Sequence, residues 1–188
     1  MATLNTTNIK HGSSSSNIIV LASDGKVTFP QNTGNILQVV QAVKTDTQSN
    51  QTQTYVDVAS LAPSITPASS SNKILICWSI AFSTNGYVSL RLKRDSDNTI
   101  LLGDTDSSRE RAVQGAYAGE TDEAYDISHF NGMYLDSPST TSAITYKPQL
   151  ATIHHSSYKW YVNRSWNHTD ANYQWTTTST MTLMEVAA

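Results

Sequence analysis

The chain has 188 residues, a formal net charge of −3 and only 14% charged residues. That balance excludes a nucleic-acid binder working through a basic field, and no apolar run approaches the roughly 18 residues of a membrane-spanning helix. Ser, Thr, Asn and Gln fill the gap, 71 of the 188 residues; they compete for backbone hydrogen bonds inside helices, and beside Val, Ile, Tyr and Trp they favour pleated structure, so an all-β protein is expected.

The opening MATLNTTNIKHG has no basic region before an apolar core, so no signal peptide is expected. Residues 1–34 read as an extended, Ser-rich arm with too few apolar residues for a core. Within it, IIVLA (18–22) and KVTF (26–29) flank Asp24-Gly25, a hairpin signal. A lone hairpin is marginal in water, so it must pack on something else. Pro30, Asn32 and Gly34 mark a joint.

Strand signals become dense from Asn35. ILQVVQAVK (36–44) is β-branched, TDTQSNQTQ (45–53) reads as a polar loop, and TYVDVASL (54–61) alternates. KILICWSIAFST (73–84) is apolar on both faces, as a strand covered on both sides would be. Asn85-Gly86 then predicts a tight hairpin into YVSLRLKRD (87–95), with Val88, Leu90 and Leu92 facing the core and Ser89, Arg91 and Lys93 facing water. TILLGD (99–104) is a short strand and 105–125 a long polar loop or weak strand. DISHFNGMYLDSP (126–138) carries a strand interrupted at Asn131-Gly132. In TSAITYKPQLATIHH (141–155), Pro148 argues for an edge or bulge. The aromatic-rich strand YKWYVNR (158–164), the loop SWNHTDANYQW (165–175) and the strand STMTLMEVA (179–187) follow. About eight to ten strands separated by turns imply a β-sandwich of jelly-roll type.

Few motifs carry chemistry. Cys77 is the single cysteine, so there is no disulfide framework, and in an apolar run it reads as a small buried hydrophobe. His154 and His155 are adjacent and would point to opposite strand faces, away from a common ion shared with His129 or His168. Asp95, Asp97, Asp104 and Asp106 lack the glycine and glutamate of a calcium loop and read as turn residues. SRERA (108–112) reads as a solvated loop, and the carboxylates Glu110, Glu120, Asp122, Glu123 and Asp126 have no specified acid–base spacing. Nucleophile elbow and phosphate loop are both missing. The chain is therefore expected not to be an enzyme, with no catalytic residue, metal or other cofactor. The sharpest local feature is aromatic: Trp160, Tyr161, Trp166, Tyr173 and Trp175 fall within 16 residues. Trp160 and Tyr161 fit a strand core, whereas Trp166, His168, Tyr173 and Trp175 lie in loop-like sequence and are the surface-contact candidates.

Several stretches together resemble virion structural proteins of marine bacteriophages, cyanophages among them, of tail-fibre or head-fibre type. They are the segment TLNTTNIKHGSSSSNIIVLASDGKVTFP, ILQVVQAVKTDT (36–47), ITPASSSNKILI (65–76), RLKRDSDNTILLGD (91–104), LDSPSTTSAITYKPQL (135–150), YVNRS (161–165) and TLMEVAA (182–188). The resemblance weakens in 105–134 and 166–178. It implies an arm, 1–34, that docks on the particle, and a head, 35–188, similar to a tumour-necrosis-factor-like jelly roll carried as a homotrimer. Leu4, Ile9, Ile18, Ile19, Val20, Leu21, Val27 and Phe29 are then the virion-anchor candidates. The expected function is a short trimeric fibre or spike on the virion that contributes to host attachment. The alternatives are a capsid decoration or cement protein and, behind it, a virion glycan hydrolase. Expected partners are further copies of the chain, other tail or capsid proteins met through residues 1–34, and a host-surface glycan, with no nucleic acid and no membrane.

Overall fold

A computed structural model of the chain describes residues 8–9, 12, 19–21, 23, 27–28, 34–94, 98–118 and 125–188. Among these residues there is no α-helix. The strands in chain order are β1 (Asn8–Ile9), β2 (Ile19–Leu21), β3 (Val27–Thr28), β4 (Ile36–Lys44), β5 (Gln48–Asn50), β6 (Val56–Asp57), β7 (Ser64–Ile65), β8 (Lys73–Thr84), β9 (Tyr87–Arg94), β10 (Asn98–Ile100), β11 (Gln114–Tyr117), β12 (Ser128–Asp136), β13 (Ile144–Ile153), β14 (Trp160–Val162) and β15 (Ser179–Val186).

The expected β-sandwich is present. Its first sheet is organised on β8, which pairs along one edge with the whole of β12. Along its other edge β8 pairs with β15 over Lys73–Ser79 and with β14 over Phe82–Thr84. Beyond them lie β4, paired to β15, and β5, paired to β14. The second sheet is organised on β9 and β13: β10 and β11 share the free edge of β9, and β6 and β7 share the free edge of β13. All of these pairs are antiparallel. Alternation makes the core: Ile74, Ile76, Trp78, Ile80 and Phe82 of β8 meet Val88, Leu90 and Leu92 of β9, Leu150 of β13, and Met181 and Leu183 of β15. Phe82 stacks on Phe130 at 3.9 Å between ring centroids. As the sequence predicts, Val88, Leu90 and Leu92 face inward; Ser89, however, is buried, with its hydroxyl against that of Tyr55.

The tight hairpin predicted at Asn85-Gly86 does not form. β8 and β9 belong to different sheets, and the dipeptide is a corner between layers. Its bonds run both ways. The Lys159 N–H donates to Asn85 Oδ1 at 2.6 Å, on the side of the first sheet. The Ala118 N–H donates to the Gly86 carbonyl at 3.1 Å, on the side of the second. Neither residue has the positive φ that a tight Asn-Gly hairpin turn requires. Glycine serves here for close approach to Tyr158.

Pro148 is also placed differently from expectation. It sits inside β13, an interior strand, opposite Leu92 of β9. Its carbonyl accepts from the Val58 N–H at 2.9 Å, so its nitrogen faces the same side, the gap between β6 and β7. No ladder donor is needed there, and proline is tolerated. Asn131-Gly132 does not interrupt β12. Gly132 lies opposite Trp78, and a Cβ at that position would come within 2.3 Å of the indole. Two further readings shift. The loop 45–53 contains β5, while only Val56–Asp57 of the stretch 54–61 is strand.

A buried polar knot closes the first sheet. Asn163, at φ 62°, donates through Nδ2 to the carbonyls of Lys44 and Asp46, both at 2.9 Å. Its Oδ1 accepts from Ser179 Oγ at 2.6 Å, and Ser179 Oγ accepts from the Ala81 N–H at 3.0 Å. Nearby, the wholly buried Lys44 side chain pairs with Asp46 at 2.9 Å. In the arm, β2 and β3 pair as the hairpin signal predicts, and β1 adds a third strand on β2. The Asp24-Gly25 turn itself lies outside the described residues, as do the anchor candidates Leu4, Ile18 and Phe29. Ile9 is exposed, Ile19 and Val20 are half-buried, and Leu21 and Val27 lie in β2 and β3.

Candidate binding surfaces

Two surfaces stand out. The first is the outer face of the β8 sheet. Register places Val39, Met184, Leu75 and Leu135 side by side across β4, β15, β8 and β12. The next row is Gln41, Thr182, Cys77 and Met133, and the row after it Val43, Thr180, Ser79 and Asn131. None of these twelve residues is charged. Met133 is 72% exposed and Val39 57%, large values for apolar side chains on the regular strands of a sheet. The alternation of KILICWSIAFST thus puts one face in the core and leaves the other half-covered, with Leu75 and Cys77 only partly shielded.

The second is an open cavity of about 570 Å³ over β9 and β11. Tyr87 and Tyr117 are opposite each other in register, with ring centroids 4.4 Å apart. Tyr87 is held from behind by His154, edge-on at 5.8 Å, and by Tyr158 at 6.1 Å. The other wall is the segment 103–112, folded back along the sheet. Glu110 fixes it by accepting from Arg91 Nη2 at 2.6 Å and from the Tyr55 hydroxyl at 2.9 Å. The Arg91 guanidinium lies over the Tyr55 ring at 4.0 Å and donates through Nε to the Arg111 carbonyl at 3.1 Å. Arg111 Nε donates to the Gly103 carbonyl at 2.8 Å, and Arg109 pairs with Asp106 at 2.9 Å. The Tyr55 hydroxyl also meets Ser89 Oγ. Burial, with its bond to Glu110, pushes the Tyr55 hydroxyl up to about 12 against the opposing pull of Ser89 and Arg91. SRERA is thus an exposed loop, as the sequence predicts, but one pinned to the sheet by these bonds.

The predicted surface aromatics lie elsewhere. Trp166 is half-buried, while His168, Tyr173 and Trp175 are exposed. Tyr173 meets Tyr125 edge-on at 5.9 Å, and His168 lines a cavity of about 330 Å³ with Asp170 and Gln174 that neither Tyr173 nor Trp175 borders. Trp160 is fully buried and Tyr161 nearly so, with Arg164 over the Tyr161 ring at 4.9 Å. Among the described residues no group of three or more His, Cys, Asp or Glu could hold a metal ion. Asp95, Asp97, Glu120, Asp122 and Glu123 lie outside those residues. The Tyr87 cluster was missed from sequence because its rings come from β9, β11 and the two segments flanking 155–157. The only local signal was the density of Tyr and His around residues 154–161.

No family model matches the chain, and no curated protein does. Among solved structures it is similar to the infectious bursal disease virus Gt strain, with 14% identity over 96% of this chain and a TM-score of 0.38. It is also similar to the Gx strain, with 12% identity over 89% of this chain and a TM-score of 0.35, and to the VP2 subviral particle of that virus, with 12% identity over 90% and 0.33. The chain spans 47%, 41% and 43% of the length of those three chains.

Proposed function

We propose that this chain is a non-enzymatic structural protein of a virus particle: a short spike or fibre head, assembled from several copies, carried on an arm formed by residues 1–34. The observation that carries the reading is the outer face of β4, β15, β8 and β12, whose three central rows hold no charged residue. Four strands about 4.8 Å apart and about nine residues long at about 3.4 Å per residue give a flat footprint of roughly 600 Å². That is close to the about 800 Å² each partner contributes to a standard interface. The occupant proposed is a second copy of the chain. Rows of Val, Met and Leu beside Thr, Gln, Ser and Asn are complementary to themselves, and within the three rows there is no charge to select a partner of opposite sign; Lys73 stands at the end of β8, outside them. A trimer is the form that the resemblance to phage virion proteins favours, and the same resemblance places the arm on the particle.

Light scattering on the full chain tests the reading. A mass near three chains is expected, falling to one chain in the double variant Met133→Glu, Leu135→Glu with an unchanged circular dichroism spectrum. A wild-type chain that stays monomeric at tens of micromolar overturns self-association and leaves the face to another virion protein. Immunogold labelling of particles then separates a tail fibre, present at few sites, from a capsid decoration, present at many.

A further inference from the structure

We propose that the cavity over β9 and β11 is a binding site for an uncharged saccharide, with Tyr87 and Tyr117 as its stacking platform. This adds a ligand to the particle protein proposed above and rests on that reading only for its purpose at a host surface.

Four observations converge. The volume, about 570 Å³, falls within the roughly 300–1,000 Å³ of small-ligand sites. The platform is solvent-facing, since Tyr87 is 43% and Tyr117 55% exposed. It is also fixed in advance, because Tyr87 is backed by His154 and Tyr158. A rigid aromatic with few rotatable bonds loses little entropy on binding, and the C–H face of a pyranose ring fits its flat apolar surface.

The facing wall sets the ligand's charge. It presents Asp104, Asp106 and Glu110 beside Arg109 and Arg111. Two ion pairs lie within the protein, Arg109 with Asp106 and Glu110 with Arg91, and Asp104 and Arg111 add one charge of each sign. Paired groups of this kind still offer N–H donors and oxygen lone pairs at their open edges. A sugar hydroxyl, which donates and accepts at once, uses both. A sialic or uronic acid would meet three carboxylates against Arg111 as the one cation in the wall without a carboxylate partner among the described residues.

Gly115 is the fourth observation. It lines the cavity opposite Ser89, yet a Cβ there would meet only the Val88 carbonyl at 3.7 Å, an ordinary contact. Packing does not require glycine at this point, and a side chain would occupy the cavity.

The test is a printed glycan array carrying neutral and acidic oligosaccharides, probed with the full chain and with Tyr117→Ala, Gly115→Val and Trp175→Ala. Binding to one or more neutral glycans is expected. Removing the stacking ring or filling the floor should weaken it by about tenfold or more, while Trp175→Ala, in the loop beyond, changes it less than about twofold. Circular dichroism and thermal melting confirm that each variant is folded. A chain that holds no neutral glycan, or only acidic ones, overturns the proposal, as does neutral binding that survives both cavity variants. Solution mass is measured on the same samples, so loss of the saccharide site and loss of self-association are read separately.

Discussion

The backbone of Gly86 lies directly beneath the ring of Tyr158. A Cβ at residue 86 would stand 2.2 Å from Tyr158 Cγ, so the corner between the two sheets and the position of this ring are one structural decision. The same ring backs Tyr87 and packs at 5.5 Å from His155.

Gly86→Ala should therefore destabilise the protein by about 1–3 kcal/mol through overpacking. In a double-mutant cycle with Tyr158→Ala, most of that cost should vanish, because the clash needs both partners. Urea denaturation of the four proteins measures it. Additive effects would mean that the glycine serves the corner's backbone and not the ring.

Asn163 combines a left-handed backbone with a saturated side chain. Asn163→Ala removes the donors to Lys44 and Asp46 and the acceptor for Ser179, and keeps a Cβ at φ 62°. A loss of about 3 kcal/mol or more is expected. Asn163→Gly should be less harmful by about 1 kcal/mol, since it relieves the backbone but not the hydrogen bonds. Equal losses in chemical denaturation would remove the backbone contribution from this account.

Acid should loosen the β4–β15 edge. Burial pushes the Glu185 carboxyl up, but bonds from Asn72, Gln38 and the N–H groups of Ala68 and Ser69 outweigh it and leave its pKa below the ordinary 4.5. A folded pKa below the unfolded one contributes stability that is present above about pH 4.5 and lost as pH falls through the folded value. Glu185→Gln should be less stable at neutral pH and should show a shallower decline below pH 4.5. Thermal melting across pH 2–7 compares the two slopes.

The alkaline limb has the opposite sign. Tyr55 titrates near 12 in the folded chain against 10.0 for the free phenol. Its stabilising effect is complete below pH 10 and lost as pH rises towards 12. Tyr55→Phe should flatten the stability curve in that window and loosen the wall that Glu110 anchors. Protection of the Gly103 and Val113 amides in hydrogen exchange should fall with it.

Cys77 reports on the β8 face. It sits opposite Thr182 on one side and Met133 on the other, half-exposed in the single chain. Its reaction with a thiol reagent should be slow in assembled protein and faster by about tenfold or more in the Met133→Glu, Leu135→Glu variant. Equal rates would mean that the face is open to solvent in both.

Strands with a strong two-residue period were legible in the sequence. β4, β8, β9 and β15 fall where the alternation of ILQVVQAVK, KILICWSIAFST, YVSLRLKR and STMTLMEV puts them. Partner choice was not legible. Alternation says which side chains face inward but not which strand lies alongside, so Asn85-Gly86 reads as a hairpin until Lys159 and Ala118 are seen to claim its backbone. Pro148 misleads for a related reason: one residue cannot reveal that the strand beside it is broken between β6 and β7. The cavity was invisible because its rings come from separate parts of the chain. β14 falls within the aromatic-rich YKWYVNR, whereas the polar β5 owes its existence to β14 beside it, not to local preference.

The position of β15 has a consequence for synthesis. Residues 179–186 run between β4 and β8, so two strands both made by residue 84 are joined only by one that begins at residue 179. Before residue 179 is added, β4 lacks its partner β15, and β8 gains β12 along one edge and only β14 at the end of the other. The sheet cannot close until residue 186 has cleared the exit tunnel. Folding is then limited by long loop closures and is slow, and the half-made sheet presents sticky edges in the meantime. Stalling translation before residue 179 should yield a chain that binds chaperones, whereas a chain extended past residue 186 should lose that binding as the sandwich closes around its missing strand.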